Sequence, residues 1–77
     1  MKLKSIRKIS SEVRYIIRVF EGKRFVEDFK MDYIVMTNDE MREVLINKYF
    51  KYENNRVRNI DTEVHDGKSY LCITIDL

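Results

Sequence analysis

The residues best suited to chemistry are one histidine, His65, and one cysteine, Cys72. A catalytic base or reactive thiolate needs neighbours that orient it and shift its pKa. His65 directly precedes the turn-forming pair Asp66-Gly67, which favours a turn residue over a base. Cys72 lies in an alternating run that predicts a strand, and the sequence holds no second histidine to activate it. We therefore predict an unreactive thiol and no enzymatic activity.

The sequence contains few residues that could bind a metal ion or a cofactor. A metal site needs several ligands at recognisable spacing, and one cysteine with one histidine falls short. A divalent ion would require one strand to curl around the side chains Asp61, Glu63, His65 and Asp66, whose alternation instead indicates a solvated edge. Gly22 and Gly67 fall at hairpin turns, so they form no phosphate-binding loop. No metal and no cofactor are predicted.

Composition limits the compartment and the size of the fold. The chain has 77 residues, 44% of them apolar and 36% charged, which predicts one small globular domain spanning 1–77. A core of this size supplies only about 3–5 kcal/mol, so oligomerisation or a partner would add useful stability. The single cysteine, the lack of an apolar segment after the basic N-terminus and the lack of a spanning run predict a cytoplasmic protein without membrane contact.

The segment TNDEMREVLINKYFKYENN predicts a helix over 38–53. Thr37 and Glu40 have the spacing of a capping box, and Asn54-Asn55 suits a left-handed helix end. One apolar stripe is predicted to pack on the sheet, made of Met41, Val44, Leu45, Tyr49 and Tyr52.

A C-terminal hairpin is predicted over about 57–64 and 69–76, around Asp66-Gly67. Its pairs Val64–Ser69, Thr62–Leu71 and Ile60–Ile73 would share the buried face. The other face, with Glu63 beside Tyr70 and Asp61 beside Cys72, is predicted to be solvated.

An N-terminal hairpin is predicted around Gly22-Lys23. A register slipped by one residue, with an odd loop or a bulge near Gly22, aligns the apolar side chains. It predicts the pairs Ile17–Phe29, Tyr15–Met31, Val13–Tyr33, Arg18–Asp28 and Arg14–Asp32.

Residues 1–9 fit either a helical face of Leu3, Ile6 and Ile9 or a short strand, and we favour a strand that joins the meander. The predicted fold class is therefore α+β. An antiparallel meander of two or three strands is followed by one helix and a C-terminal hairpin, with the helix packed on one sheet face.

Basic residues are concentrated in the first third of the chain. Residues 1–24 hold eight Lys/Arg and two Asp/Glu, whereas 25–77 hold seven and eleven. The first interpretation is a solvated face partly neutralised by cross-strand acids. The alternative is a nucleic-acid site, with phosphate contacts from Lys2, Lys4, Arg7, Lys8 and Arg24.

Nine aromatic residues are more than a core of this size hides. Tyrosine and phenylalanine are enriched at protein interfaces. The four that fit the core stripes least well are the candidate protein contacts: Phe20, Tyr33, Phe50 and Tyr70.

In size, in its wealth of lysine and isoleucine and in its lack of catalytic groups, the chain resembles small accessory proteins of phages and mobile elements of AT-rich bacteria. Anti-CRISPR proteins and other anti-defence inhibitors are among them. The resemblance covers style alone, so no site residue is carried over. It implies a non-catalytic inhibitor or adaptor of a larger protein in the host cytoplasm. A nucleic-acid-binding regulator and a homodimer joined through a strand edge are the alternatives.

Overall fold

A computed structural model describes residues 1–6, 14–31 and 38–77. These residues form a 3₁₀ turn (Leu3–Ser5), β1 (Tyr15–Glu21), β2 (Arg24–Met31), α1 (Asp39–Tyr52), β3 (Arg56–His65) and β4 (Lys68–Asp76). The α+β class is confirmed. Within the described ranges, α1 is the one α-helix, and four strands form a single sheet.

The sheet is mixed, with the strand order β2-β1-β4-β3. Each hairpin is antiparallel, but β1 and β4 pair in parallel at the centre, so the purely antiparallel arrangement that we expected is wrong in this respect. These two strands carry apolar side chains on both faces. Central positions in a sheet bury both faces of a strand, which explains why β1 and β4 meet there.

The slipped register of the N-terminal hairpin is confirmed, since Ile17 lies opposite Phe29 and Arg18 opposite Asp28. The pairing shifts between Val19 and Phe20, which leaves one extra residue, Val26, on β2. This is the predicted bulge. The expected pairs Val13–Tyr33 and Arg14–Asp32 include residues outside the described ranges.

The register of the C-terminal hairpin is also confirmed, with Ile60 opposite Ile73 and a turn in which Asp66 and Gly67 have φ values of 53° and 75°. The prediction of its faces is correct for Ile73 and Ile75, which are buried as expected, but wrong for the opposite face. Tyr70 and Cys72 are buried, at 6% and 2% exposure, although their face was expected to be solvated. They are buried because β4 is a central strand.

The helix begins and ends close to its predicted bounds. Its N-cap is Asn38, whose side-chain oxygen accepts a hydrogen bond from the backbone N–H of Met41 at 3.1 Å. Thr37, the expected cap, lies outside the described residues. The C-cap residue Glu53 is right-handed, so the helix ends before Asn54-Asn55 without the expected left-handed residue.

The helix packs over β1 and β2, on the side that holds the main core. Tyr52 stacks on Phe29 with 6.4 Å between ring centroids, and its hydroxyl donates to Glu27 at 2.5 Å. Burial and this carboxylate raise the pKa of Tyr52 to about 12. The predicted stripe is correct for Leu45, Tyr49 and Tyr52, but wrong for Met41 and Val44, which are exposed. The stripe is therefore narrower than periodicity indicated.

The N-terminal residues adopt neither predicted form over 1–6. Lys2 makes an isolated antiparallel bridge with Arg56, and the carbonyl of Met1 accepts from the N–H of Val57 at 2.7 Å. A 3₁₀ turn then places Leu3 in the core. The strand that we expected is thus reduced to one bridge in these residues, because Leu3 turns inward.

Candidate protein-contact surface

The helix leaves part of its own side of the sheet exposed. Residues Ile60, Thr62 and Val64, here called the β3 row, project from β3 on the face that carries Ile73 and Ile75. Ile60 is 41% exposed and Val64 is 71% exposed, whereas Ile73 is 1% exposed. The apolar face of the hairpin therefore continues past the helix into solvent.

The backbone of the β3 row faces the outer edge of the sheet. In a hairpin with a two-residue turn, the flanking pair, here His65 and Lys68, is hydrogen-bonded, and pairing then alternates along the strand. The N–H and C=O groups of Glu63 and Asp61 therefore point towards β4, and those of the β3 row point away. The N–H of Thr62 agrees, since it donates to the side chain of Asp61 at 2.9 Å.

Charged side chains on the opposite face compensate one another. Arg18 donates to both carboxylate oxygens of Glu63, at 2.7 and 3.2 Å, and lies 3.9 Å from Asp28. The hydrogen bonds from Arg18 and from His65 lower the pKa of Glu63 to about 2. The expected cross-strand partner, Asp28, is therefore the weaker contact of Arg18. The sequence could not indicate Glu63, because β4 lies between β1 and β3.

Cys72 lies beneath this cluster, in a small core with Ile16 and Tyr70. Burial, with a hydrogen bond to Glu63, raises the pKa of the Cys72 thiol to about 11. The thiol is therefore protonated at neutral pH, and a protonated thiol is a poor nucleophile. The rings of His65 and Tyr70 pack edge to face, with 5.6 Å between their centroids. His65 therefore has a packing role beside the hairpin turn.

The four aromatic candidates do not form one surface. Tyr70 is buried and unavailable for contact, and Tyr33 lies outside the described residues. Phe50 is exposed on α1, whereas Phe20 is half-buried on the other side of the sheet. The aromatic residues chosen from the sequence therefore lie in several different environments. Ile60 and Val64 were missed because their alternation predicted burial, which an edge strand does not provide.

The basic candidates that the structure describes lie near one end of the sheet. Lys2 and Lys4 are exposed beside the start of β3, and Arg24 at the turn between β1 and β2 pairs with Glu21 at 2.8 Å. Arg7 and Lys8 lie outside the described residues. Two further arginines at this end of the sheet, Arg56 and Arg58, were not among the predicted phosphate contacts.

Arg58 contributes an organised contact at this end. It donates to Asp76 at 2.5 Å and to the carbonyl of Gly22 at 2.7 Å, and its guanidinium lies 5.2 Å from the ring centroid of Phe20. Phe20 in turn meets the exposed Phe25 edge to face. The end of the sheet thus combines cations with a half-exposed aromatic pair.

Among the residues that the structure describes, no three or more His, Cys, Asp or Glu side chains are grouped so that they could hold a metal ion. No described helix has the length and apolar character needed to span a bilayer. The chain matches no protein-family model, no curated protein and no solved structure.

Proposed function

We propose that this chain is a non-catalytic protein-binding module that acts on a larger protein through the β3 row. The observation that carries the proposal is the 71% exposure of Val64, on the same sheet face as the core. A folded chain that leaves such side chains exposed beside its core offers a contact area for a partner. The exposed Ile60 extends this area along the strand.

Binding of this kind suits an inhibitor or adaptor of the phage type that the composition resembles. Such a protein needs no reacting group, because it acts by occupying a surface of its partner. The β3 row itself carries no charged side chain, and the paired Arg18 and Glu63 lie on the other face of the sheet, which agrees with a role in contact.

Two valine variants test the proposal. Val64→Lys places a charge in the β3 row, whereas Val44→Lys makes the same change at a 55% exposed position on α1. We expect a host protein captured from lysate by the wild-type chain to be captured equally by Val44→Lys and at least tenfold less by Val64→Lys. The measurement is quantitative mass spectrometry of the captured proteins. Equal capture by both variants, or none by the wild type, would contradict the proposal.

A second candidate function, nucleic-acid binding, is favoured by the basic end of the sheet. Within the described ranges, Lys2, Lys23 and Arg56 pair with no acid, while Phe25 is exposed close to Arg58 through its contact with Phe20. Cations beside accessible aromatic rings are typical of sites for single strands.

Fluorescence anisotropy with labelled single-stranded DNA and RNA tests this candidate. Binding through Lys2 should weaken with rising salt, and Lys2→Gln should lower affinity by about twofold or more, since one phosphate contact is lost. Lys68→Gln, at the start of β4 beside the far end of β3, is the matched control and should leave affinity nearly unchanged. Absence of binding at low salt would exclude this function.

A further inference from the structure

We propose that β3 accepts an additional antiparallel strand from the partner, in which apolar and basic side chains alternate. The inference rests on the proposed function and specifies its mode of binding. The added strand would bond to the outward N–H and C=O groups of Ile60, Thr62 and Val64, so that the sheet gains a fifth strand.

The start of this edge already pairs with another segment of the chain. Met1 and Lys2 lie antiparallel to the start of β3, where the N–H of Val57 donates to Met1 and Lys2 bridges Arg56. The N-terminal segment then turns away at Leu3–Ser5. In the described part of the sheet, the edge from Asn59 onward is therefore left without a neighbouring strand.

The outward backbone groups of this segment are only lightly engaged. The N–H of Thr62 bonds to Asp61, the residue directly before it, at the exposed surface. Such a local bond is readily exchanged for an inter-strand bond, because water or the incoming strand can replace it at the carboxylate. Edge strands with free backbone groups are templates for pairing.

The two faces of the edge define the side chains of the added strand. Residues opposite Ile60 and Val64 would lie on the helix side, where apolar side chains cover exposed apolar surface. Residues opposite Asp61 and Glu63 would lie on the other face. Glu63 is held by Arg18, but Asp61 is exposed and forms no ion pair with any described residue, so a basic side chain there gains a partner.

A second copy of this chain fits the edge poorly in the two registers that align the β3 rows most fully. Antiparallel pairing of two β3 strands centred on Thr62 would place Asp61 opposite Glu63 twice, and pairing centred on Asp61 would place that residue opposite itself. Like charges directly opposite each other destabilise a sheet. A heterologous strand with basic residues avoids this repulsion.

The other edge, on β2, is less suitable. Its ladder is interrupted by the bulge at Val26, and bulges protect edges from pairing. Its residue Glu27 is also engaged from α1 by Lys48 and Tyr52. The β3–β4 ladder has its own irregularity between Val57 and Asn59, but it is regular from Asn59 to His65, where the β3 row lies.

The probe for the test is a blocked nine-residue peptide of alternating lysine and valine. We expect saturable binding to the wild-type chain by nuclear magnetic resonance titration. The amide signals of Ile60, Thr62 and Val64 should shift, and their hydrogen exchange should slow at least tenfold. A peptide of alternating glutamate and valine should bind at least fivefold more weakly.

The need for backbone hydrogen bonds between β3 and the peptide is tested by changing first the protein and then the peptide. Thr62→Pro removes an N–H that the β3–β4 ladder does not use, and edge positions of this kind tolerate proline. It should weaken binding of the lysine–valine peptide at least tenfold. The second test changes the peptide instead: the valines whose backbone N–H groups would bond to β3 are N-methylated. This peptide should show the same loss of affinity for the unaltered protein, so the test holds even if Thr62→Pro perturbs folding.

The outcomes separate the inference from the proposed function. Lack of peptide binding, unchanged affinity for the N-methylated peptide, or signal shifts confined to other strands would overturn strand addition. Capture of a host protein that depends on Val64 would still support the proposed function. A dimer detected by light scattering and abolished by Thr62→Pro would also overturn the inference, since a second copy would then occupy the edge.

Discussion

At the scale of single residues, Glu63 organises the face of the sheet opposite the helix. Its carboxylate accepts two bonds from Arg18 and one contact from His65, and it lies above the buried thiol of Cys72. Because these hydrogen bonds stabilise the ionised carboxylate, the pKa of Glu63 falls from 4.5 to about 2. Ionised Glu63 therefore stabilises the folded chain.

The sign of the pH dependence follows from this lowered pKa. The stabilisation is complete above pH 4.5 and is lost as the pH falls towards 2, since protonation then favours the unfolded chain. We expect Glu63→Gln to lower the free energy of unfolding at pH 7, and this difference from the wild type to shrink as the pH falls from 4.5 towards 2. Urea unfolding at pH 7, 5 and 3 measures this.

Arg18→Gln serves as the control, because it removes the main cause of the lowered pKa. Its stability should lose most of the same pH-dependent part. A gap between the wild type and Glu63→Gln that stays constant from pH 7 to pH 3 would show that Arg18 and His65 do not favour ionised Glu63.

Which residues would meet on this face was only partly predictable. Alternation and turn chemistry placed Arg18 opposite Asp28, and that pair exists at 3.9 Å. The stronger contact, with Glu63, joins residues of two different hairpins. Local patterns specify partners within a hairpin, but they carry no information on how two hairpins combine.

At the scale of elements, the position of a strand in the sheet decides what its pattern means. Ile60 and Ile73 lie opposite each other on the same face, yet one is 41% exposed and the other 1%. The hairpin register was predictable from the Asp66-Gly67 turn and the alternation. The exposure was not, because it depends on which hairpin strand lies beside β1.

This contrast gives a prediction with a built-in control. Ile73→Ala should lower the free energy of unfolding by about 2–5 kcal/mol, as buried isoleucine truncations do. Ile60→Ala should cost about 1 kcal/mol or less, because its side chain is already partly in water. Urea unfolding measures both. If Ile73→Ala does not fold, Ile73→Val should still cost about 0.5–1.5 kcal/mol. Equal costs for the two alanine variants would contradict the placement of β4 at the centre.

At the scale of the whole molecule, two antiparallel hairpins are joined by the parallel pairing of β1 and β4. The class and the helix could be predicted because both depend on periodicity within short segments. The parallel junction could not, since each hairpin satisfies its own local pattern whichever strands meet. The apolar residues on both faces of β1 and β4 were the available signal.

The parallel junction also bears on the order in which the molecule assembles. It joins Tyr15 to Leu71, fifty-six positions apart, whereas both hairpins close over turns of two residues. Contacts between residues far apart in the sequence cost more chain entropy. Formation of the junction should therefore be the last step of folding and should govern the folding rate. Because Ile73 lies in this rate-limiting junction, Ile73→Ala should slow refolding in stopped-flow experiments, and a refolding rate equal to that of the wild type would contradict this order. Until that step is complete, four strand edges are open instead of two, and the nascent chain is most exposed to aggregation.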